Sequence, residues 1–247
     1  MALLVFEHSA SAGSLRLGAT LRDYGHPLVT IRTHAGDDVP ADLDGVDGIV
    51  SMGAALSLDD PLPWLEAEMD LIREAHEREL PVVGICLGCQ IVARALGGTT
   101  GPMDDGIELG FVPFELNAIG RDDPMFTGMP WTTHQFAWHC DEVKDLPAGA
   151  RLLASSPQCN VQAWASGLRT YGFQYHPEVY PHTIEEWIER HPDDLADADL
   201  TPEDLRDQMA RHGDDFARYA VRLFESIALF LMPVDRRYQG QIKDLHH

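Results

Sequence analysis

The sequence predicts an α/β fold in which helices cover both faces of a doubly wound, mostly parallel sheet. In the first hundred residues, short apolar runs alternate with amphipathic segments that are long enough for helices. In the second half, five short strand candidates follow one another, which indicates an antiparallel extension of that sheet. We therefore expect residues 1–247 to form one domain, with a helical extension from about 200 to 232.

The first half supplies the elements of the parallel sheet. The strand candidates are ALLVFE, PLVTIRT, GVDGIVSM and PVVGI, and the helix candidates are SLRLGATLRDYG, LPWLEAEMDLIREAHEREL and LGCQIVARALGG. In the second of these helices, Leu65, Met69, Ile72 and His76 recur at helical spacing and define one face. Alternation of strand and helix is typical of parallel strands joined by crossover helices.

The second half supplies the antiparallel candidates and a long helix. The strand candidates are ELGFVPFEL, THQFAWHCDEV, RLLASS, NVQAWAS and TYGFQYH, and TIEEWIER is helical. The long helix is predicted from about Pro202 to Met232, with Thr201 as its N-cap. Apolar residues recur along it at steps of three or four from Leu205 to Phe230. Such a stripe is too long to remain exposed, so we expect it to pack on the flank of the sheet or against a second subunit in a homodimer.

Composition excludes several classes of protein. The formal net charge of −22 argues against binding to nucleic acid or anionic membranes, because their phosphates would be repelled. No apolar run approaches the ~20 residues of a membrane span. The apolar N-terminus lacks a basic segment, which favours a first strand over a signal peptide and predicts a cytoplasmic protein. In that compartment the four cysteines are expected to be thiols.

The segment GICLGCQ, residues 84–90, joins a predicted strand to a predicted helix. Cys86 therefore lies at the carboxyl end of a strand, where open α/β sheets bind ligands. Gly84 and Gly88 suit a sharp turn, because side chains there would crowd neighbouring backbone. The helix N-terminus favours a thiolate at Cys86, and the N–H of Leu87 could hold an oxyanion beside it. The pattern predicts a cysteine nucleophile.

The segment YGFQYHPEV, residues 171–179, supplies the base that such a nucleophile needs. His176 follows another strand candidate and could take the proton of Cys86, while Glu178 could orient the imidazole. A lone cysteine or a lone histidine at a strand end is more often structural. Together, on strands of one sheet, they predict a catalytic triad.

A redox pair is the first alternative. Cys86 and Cys89 have thioredoxin-like spacing, but this interpretation leaves Gly88, Gln90 and the His-Pro-Glu sequence at Glu178 unexplained. Cys89 falls one helical turn after Cys86 and is predicted to fill space behind the turn. A disulfide that silences the nucleophile is the competing hypothesis for Cys89, and it would be strained because the two side chains point apart.

A zinc site is the second alternative. His8, His139, Cys140 and His182 are available as ligands but form no recognised spacing, so no metal and no other cofactor is predicted. Cys159 is interpreted as a small buried hydrophobic residue.

Three segments carry a resemblance to a known family. GICLGCQ resembles the G-x-C-x-G-x-Q nucleophile elbow of class I glutamine amidotransferases, and GFQYHPEV resembles their G-x-Q-[FY]-H-P-E block. GIVSMGAALSLDD resembles the family's strand and loop that ends in Gly-Gly-Pro. The resemblance covers about residues 1–190 and is strongest to stand-alone domains akin to the amidotransferase part of GMP synthase. It implies a flavodoxin-like sheet and attack by cysteine on the side-chain amide of glutamine. Ammonia leaves, and water hydrolyses the γ-glutamyl thioester.

The resemblance also implies roles for individual residues. Cys86 would be the nucleophile, His176 the general base and Glu178 the acid that orients it. The N–H groups of Gly53 and Leu87 would form the oxyanion hole. The residues that would bind the rest of the substrate are Gln90, His139, Cys140 and Asp141. Two positions depart from the family pattern: the Gly-Gly-Pro loop is Met52-Gly53-Ala54, and the glycine after the histidine of the substrate-binding segment is Cys140.

The acceptor of the ammonia remains open at this point. Nothing after residue 190 is long enough to be a synthetase, and there is no P-loop. The chain is therefore expected to be an amidotransferase subunit that serves a separate synthetase subunit, or a stand-alone hydrolase of γ-glutamyl peptides or conjugates. A regulatory or binding protein that retains the fold is the third hypothesis, which the intact triad disfavours.

Overall fold

A computed structural model of the chain describes residues 2–232. The strands are β1 Ala2–Glu7, β2 Leu28–Arg32, β3 Val46–Ser51, β4 Val82–Ile85, β5 Thr99–Pro102, β6 Glu108–Leu116, β7 Thr132–His139, β8 Asp141–Asp145, β9 Arg151–Ser155, β10 Ala163–Ser166 and β11 Thr170–Phe173. The α-helices are α1 Leu15–Asp23, α2 Leu65–Glu77, α3 Leu87–Ala95, α4 Ala118–Asp122, α5 Pro181–Arg190, α6 Pro192–Asp197 and α7 Pro202–Ser226. A π-helical turn, Ile227–Leu231, continues α7.

Nine strands form one sheet in the order β2-β1-β3-β4-β11-β10-β9-β6-β7. The five strands from β2 to β11 are parallel, and the remaining pairs are antiparallel. The chain leaves β1 toward β2 and then returns to β3 on the other side, which is the switch of a flavodoxin-like sheet. The prediction of a doubly wound parallel sheet with an antiparallel extension is confirmed.

Both faces of the parallel strands are buried, as the apolar run in β1 shows. Leu3 and Val5 belong to one hydrophobic cluster, and Leu4 and Phe6 belong to another. Successive side chains of a strand point to opposite faces, so the two clusters lie on opposite sides of the sheet. This is why the parallel strands read as continuous apolar runs rather than as alternating patterns.

The single strand predicted over THQFAWHCDEV is wrong in its extent. The structure divides the segment at Cys140 into β7, which pairs with β6, and β8, which pairs with β5 in a second, two-stranded sheet. The Met103 N–H donates to the Cys140 carbonyl at 2.8 Å, which holds the chain between the two sheets. The strand β5 was not predicted, because its sequence TTGP contains residues that disfavour strands.

The long C-terminal helix begins as predicted. The Thr201 side chain accepts from the Asp204 N–H, Asp204 bonds back to Thr201, and Pro202 occupies the first turn. These contacts form a capping box.

The apolar stripe of α7 packs on the flank of the sheet. Phe216, Leu223 and Ile227 are all buried within the chain, so the flank is the correct one of the two sites predicted for the stripe. The prediction that the apolar stripe extends to Phe230 is wrong, because this side chain is 67% exposed. The wider π-helical turn changes the helical phase: the Met232 N–H donates at 3.0 Å to the carbonyl of Ile227, five residues back.

No helix within residues 2–232 is long and apolar enough to cross a membrane. The single domain, the cytoplasmic location and the homodimer stay predictions.

Candidate active site

Four parallel strands end at one edge of the sheet and bring separate sequence segments together. His8 follows β1, Gly53 follows β3, Cys86 follows β4 and His176 follows β11. His8, Cys86 and His176 line a common cavity at this edge. The edge is the one at which open α/β sheets bind ligands, as the sequence predicted.

Cys86 occupies a sharp turn between β4 and α3. Its φ is 51° and its ψ is −111°, a conformation that non-glycine residues rarely adopt. The turn is held from both sides, because the Cys86 N–H donates to the Phe173 carbonyl at 2.8 Å and the Gln90 N–H donates to the Cys86 carbonyl at 3.1 Å. Strain of this kind clusters at functional sites, where the surrounding structure enforces it.

Two glycines allow α3 to approach the strands closely enough to form this turn. A Cβ at Gly84 would lie 2.4 Å from the Gly88 carbonyl oxygen, and a Cβ at Gly88 would lie 2.0 Å from the Ser51 carbonyl oxygen. Both obstacles are backbone atoms, which cannot rotate away. The crowding predicted from the sequence at these two positions is confirmed.

The Gly88→Ala variant is expected to lose at least about 3 kcal/mol of the free energy of unfolding, the upper part of the range for overpacking. The added methyl group would force α3 away from β3. Urea denaturation followed by circular dichroism measures the loss. Gly101→Ala is the matched control, since nothing lies within 4 Å of its Cβ position, and it should change stability by less than about 1 kcal/mol. Equal stability of the two variants would contradict the close approach.

His176 and Glu178 form a buried pair beside Cys86. The His176 Nδ1 lies 2.8 Å from the Glu178 Oε1, and both side chains are buried. Burial of the imidazole opposes its protonation, but the charges of Cys86 and Glu178 and the hydrogen bond to Glu178 outweigh this effect. The pKa of His176 is therefore raised well above its ordinary value. A positively charged imidazole beside a cysteine is one of the surroundings in which cysteines act as nucleophiles.

Gly53 lies between Cys86 and the imidazole of His176. A Cβ at Gly53 would be 3.0 Å from Cε1 of His176 and 3.2 Å from Cβ of Cys86. Among residues 2–232, the N–H groups of Gly53 and Leu87 have no hydrogen-bond partner. Leu87 is the first residue of α3, where backbone N–H groups have no partner inside the helix. Both groups are thus available as donors close to Cys86.

The four residues predicted to bind the rest of the substrate line one larger cavity, of about 710 Å³, on the α3 side of Cys86. Gln90 donates through Nε2 to the Asp141 carbonyl at 2.9 Å. His139 Nδ1 lies 3.1 Å from the same carbonyl oxygen, and Cys140 is solvent-exposed between them. The structure therefore brings Gln90, His139, Cys140 and Asp141 together on one wall, with Gln90 and His139 anchoring its backbone.

Sequence analysis missed Glu108, a buried carboxylate that supports this wall. Its Oε2 lies 3.0 Å from the His139 Nε2, and its two oxygens accept from Ser156 and Gln162 at 2.5 Å each. Glu108 stands opposite His139 in the β6–β7 ladder. The available signal was a glutamate that opens the apolar run LGFVPF.

Glu108, His139 and Cys159 form a buried cluster whose ligand atoms lie within 4.8 Å of one another. The cluster supplies three ligands, and a structural zinc site normally takes four. The Glu108 oxygens are moreover occupied by donors. Burial, and then the charge of Glu108, raise the pKa of Cys159, which favours a neutral thiol.

Cys89 is fully buried behind the turn and packs as predicted. Its sulfur accepts a hydrogen bond from the Trp164 indole N–H at 3.1 Å, and burial raises the pKa of its thiol. All four cysteines are free thiols. The redox switch at Cys89 stays a competing prediction.

The flavodoxin-like sheet and this strained turn define an α/β protein that carries a cysteine at a strand-to-helix elbow. The family model "Glutamine amidotransferase class-I" matches residues 16–191. The chain belongs to the class I glutamine amidotransferase family, a family of enzymes that hydrolyse amides through a cysteine.

Relatives and solved structures agree with this assignment. The chain is 36% identical over 160 residues to the glutamine-hydrolyzing GMP synthase subunit of Natronomonas pharaonis, covering 64% of this chain and 78% of that protein. It is 32% identical over 202 residues to the putative glutamine amidotransferase-like protein YfeJ of Salmonella typhimurium, covering 79% and 82%. A crystal structure of a glutamine amidotransferase from Thermotoga maritima superposes with a TM-score of 0.81 at 26% identity, covering 93% of this chain and 98% of that one.

Proposed function

We propose that the protein hydrolyses the side-chain amide of glutamine, with Cys86 as nucleophile, His176 as general acid and base, and Glu178 as the group that orients His176. The observation that carries the proposal is the position of Cys86. It lies in a strained turn at a helix N-terminus, in the same cavity as a histidine that is itself paired with a buried carboxylate. This combination activates a thiolate.

The reaction then proceeds in two steps. The Cys86 thiolate attacks the amide carbon of glutamine, and His176 gives its proton to the departing nitrogen, so that ammonia leaves and a γ-glutamyl thioester remains. Water attacks the thioester, His176 takes a proton from it, and glutamate is released. Glu178 holds the Nδ1 side of the imidazole at 2.8 Å, which directs Nε2 to this proton transfer.

The N–H groups of Gly53 and Leu87 form the oxyanion hole in this proposal. Each tetrahedral intermediate carries a negative oxygen, and free backbone donors fixed beside the sulfur stabilise it without reorganising. The departure from Gly-Gly-Pro at Met52-Gly53-Ala54 keeps the glycine that lies between Cys86 and His176. The donor is therefore retained despite the changed neighbours.

Gln90, His139, Cys140 and Asp141 hold the amino-acid end of the substrate in the larger cavity. Both ring nitrogens of His139 are engaged, by Glu108 and by the Asp141 carbonyl, so His139 acts by positioning the wall. The Asp141 carboxylate accepts a hydrogen bond from Ser57 Oγ at 2.8 Å. Because it is an anion, it is the group proposed to bind the α-ammonium group of the substrate.

Cys159 is a less suitable nucleophile, although it too lies near a histidine and a glutamate. It is fully buried and lines neither of the two cavities beside Cys86. It also belongs to no helix N-terminus, and its raised pKa disfavours the thiolate.

A separate synthetase is the proposed acceptor of the ammonia. The relatives in Natronomonas pharaonis and Archaeoglobus fulgidus are named as one subunit of a glutamine-hydrolyzing GMP synthase, which supports a chain that works beside a second one. The test is ammonia release from glutamine by the purified protein, with and without cell extract. Strong stimulation by extract supports a partner chain, and full activity of the protein alone argues against one.

A glutamine-mimicking electrophile is expected to label Cys86 rather than Cys140, although Cys140 is the more exposed thiol of the cavity. Partial desolvation of the Cys140 sulfur, with the charges of Asp141 and Cys86, raises the pKa of Cys140 and lowers its thiolate fraction. Peptide mass spectrometry after substoichiometric labelling measures the ratio of label on Cys86 to label on Cys140. A Cys140→Ala variant should still be labelled at Cys86. Equal labelling of Cys86 and Cys159 would contradict the proposed nucleophile.

A further inference from the structure

A second cavity, of about 170 Å³, adjoins Cys86 next to the larger one. His8, Ser9, Ala12, His176 and Trp187 line it, and none of them lines the larger cavity. Cys86 lines both, together with Ala54, Ala55, Leu56, Trp138, His191 and Asp194, so the two cavities are adjoining parts of one cleft that meet at Cys86. Of the residues that line only the second cavity, the proposed function uses His176 alone.

His176 decides which half of the substrate enters the second cavity. The imidazole lines only this chamber, whereas Gln90 and Asp141 line only the other. The group that receives a proton from His176 is the departing nitrogen. With the glutamyl part held against Gln90 and Asp141, the nitrogen side of the scissile bond therefore points into the second cavity.

This cavity is larger than ammonia requires. One water, which is close to ammonia in size, occupies about 30 Å³ of liquid volume, so the chamber accommodates at least about five such molecules. A nitrogen that carries a substituent of several carbons would fill it, whereas glutamine leaves it to water.

The lining of the cavity favours an apolar substituent. The indole N–H of Trp138 donates to Asp194 Oδ2 at 2.7 Å, and that of Trp187 donates to the Ser11 carbonyl at 3.0 Å. The two rings meet edge to face, with centroids 5.8 Å apart, and both have their polar atoms satisfied. They present carbon surface to the chamber.

The ring of His8 also has its polar atoms paired. Its ring nitrogens lie 3.1 Å from Thr33 Oγ1 and 3.3 Å from Ser51 Oγ, and its ring stacks on Trp64 at 4.4 Å. The hydroxyls of Ser9 and Ser11 bond each other at 3.0 Å. Polar groups that are already paired gain little from a polar ligand, and an apolar one displaces water from around them.

We propose, on the basis of the function proposed above, that the same site also hydrolyses γ-glutamyl amides whose nitrogen carries an alkyl or arylalkyl group, and that it does so faster than it hydrolyses glutamine. The Cys86 thiolate forms the S–C bond, the C–N bond breaks, and the His176 proton goes to nitrogen, so the product leaves as a primary amine. Water then hydrolyses the thioester, giving glutamate and restoring the thiol and imidazole. No oxidant, reductant or metal enters the balance.

The test compares kcat/KM of the purified full chain for glutamine, N-butyl and N-benzyl γ-glutamyl amide, and γ-glutamylglycine, by measuring released glutamate. The N-butyl or N-benzyl amide is expected to exceed glutamine by at least about tenfold, the smallest effect of filling an apolar pocket. γ-Glutamylglycine, whose carboxylate would enter a chamber that contains Asp194, should be the poorest substrate.

A pair of variants separates the cavity from other causes. Ser9→Leu fills the chamber and should lower the ratio of N-benzyl amide to glutamine turnover at least about tenfold. Ala10→Leu changes the exposed neighbouring residue, which lines neither cavity, and should leave that ratio as in the parent.

The outcomes are distinguishable. Turnover of glutamine with none of the substituted amides, or a ratio unaffected by Ser9→Leu, overturns the substrate class and leaves the proposed function standing. Turnover of no compound, together with no labelling of Cys86 by a glutamine-mimicking electrophile, overturns both.

Discussion

The Cys86→Ala variant is expected to lose amide hydrolysis by a factor on the order of 10⁴ or more. The methyl group of alanine cannot form the thioester, and the remaining oxyanion donors and binding groups supply only part of the rate enhancement. Alanine is smaller than cysteine and keeps the same Cβ, so the fold should tolerate it at the φ of 51° that Cys86 already adopts. Glutamate release, measured with an excess of enzyme to detect slow turnover, gives the factor.

Cys89→Ala is the control for this loss. The residue lies one helical turn away in α3, and its sulfur packs against Trp164 in the interior. We expect nearly full turnover and the parent's sensitivity to peroxide. Substantial hydrolysis by Cys86→Ala would overturn the nucleophile. If the parent recovers from peroxide on addition of thiol while Cys89→Ala does not recover, the redox switch rather than simple packing describes Cys89.

The parallel half of the fold could be predicted from the sequence because its signals are local. PVVGI and LGCQIVARALGG each show their type within a dozen residues, and the glycines at 84 and 88 mark the turn between them. The division at Cys140 could not be predicted in the same way. It depends on β5 pairing with β8, some forty residues apart, through a segment with no strand signal of its own.

The candidate site shows the same limit. The triad residues could be proposed because their motifs are compact and carry a family resemblance. Glu108 and Trp187 could not, since each acts through a neighbour that is distant in sequence: His139 across a β-ladder, and His176 through an edge-to-face contact at 5.0 Å. The second cavity is likewise made of residues from β7, α5 and the segments near His8 and Asp194, which only the folded sheet assembles.

Glu178→Gln is expected to lower kcat/KM by a factor on the order of 10² to 10⁴, the range attributed to general acid and base catalysis. Glutamine matches the shape of the buried glutamate, so packing should change little. Its amide group, however, carries no charge and can present N–H groups to the His176 Nδ1, which now lies 2.8 Å from a carboxylate oxygen. The imidazole would then tend to carry its proton on the wrong nitrogen for the exchange with Cys86.

The pH profile of Glu178→Gln distinguishes this role from a merely structural one. The charge of Glu178 is one of the causes that raise the pKa of His176, so its removal lowers that pKa toward the ordinary value. The active form holds an imidazolium, which is lost as the pH rises through this pKa. The alkaline limb of kcat/KM should therefore move to lower pH in the variant. Glu186→Gln, which neutralises an exposed carboxylate on α5, should keep the kcat/KM of the parent and the position of its alkaline limb. If kcat/KM of Glu178→Gln is lower at every pH while the alkaline limb keeps its position, the carboxylate supports the fold and does not set the protonation of His176.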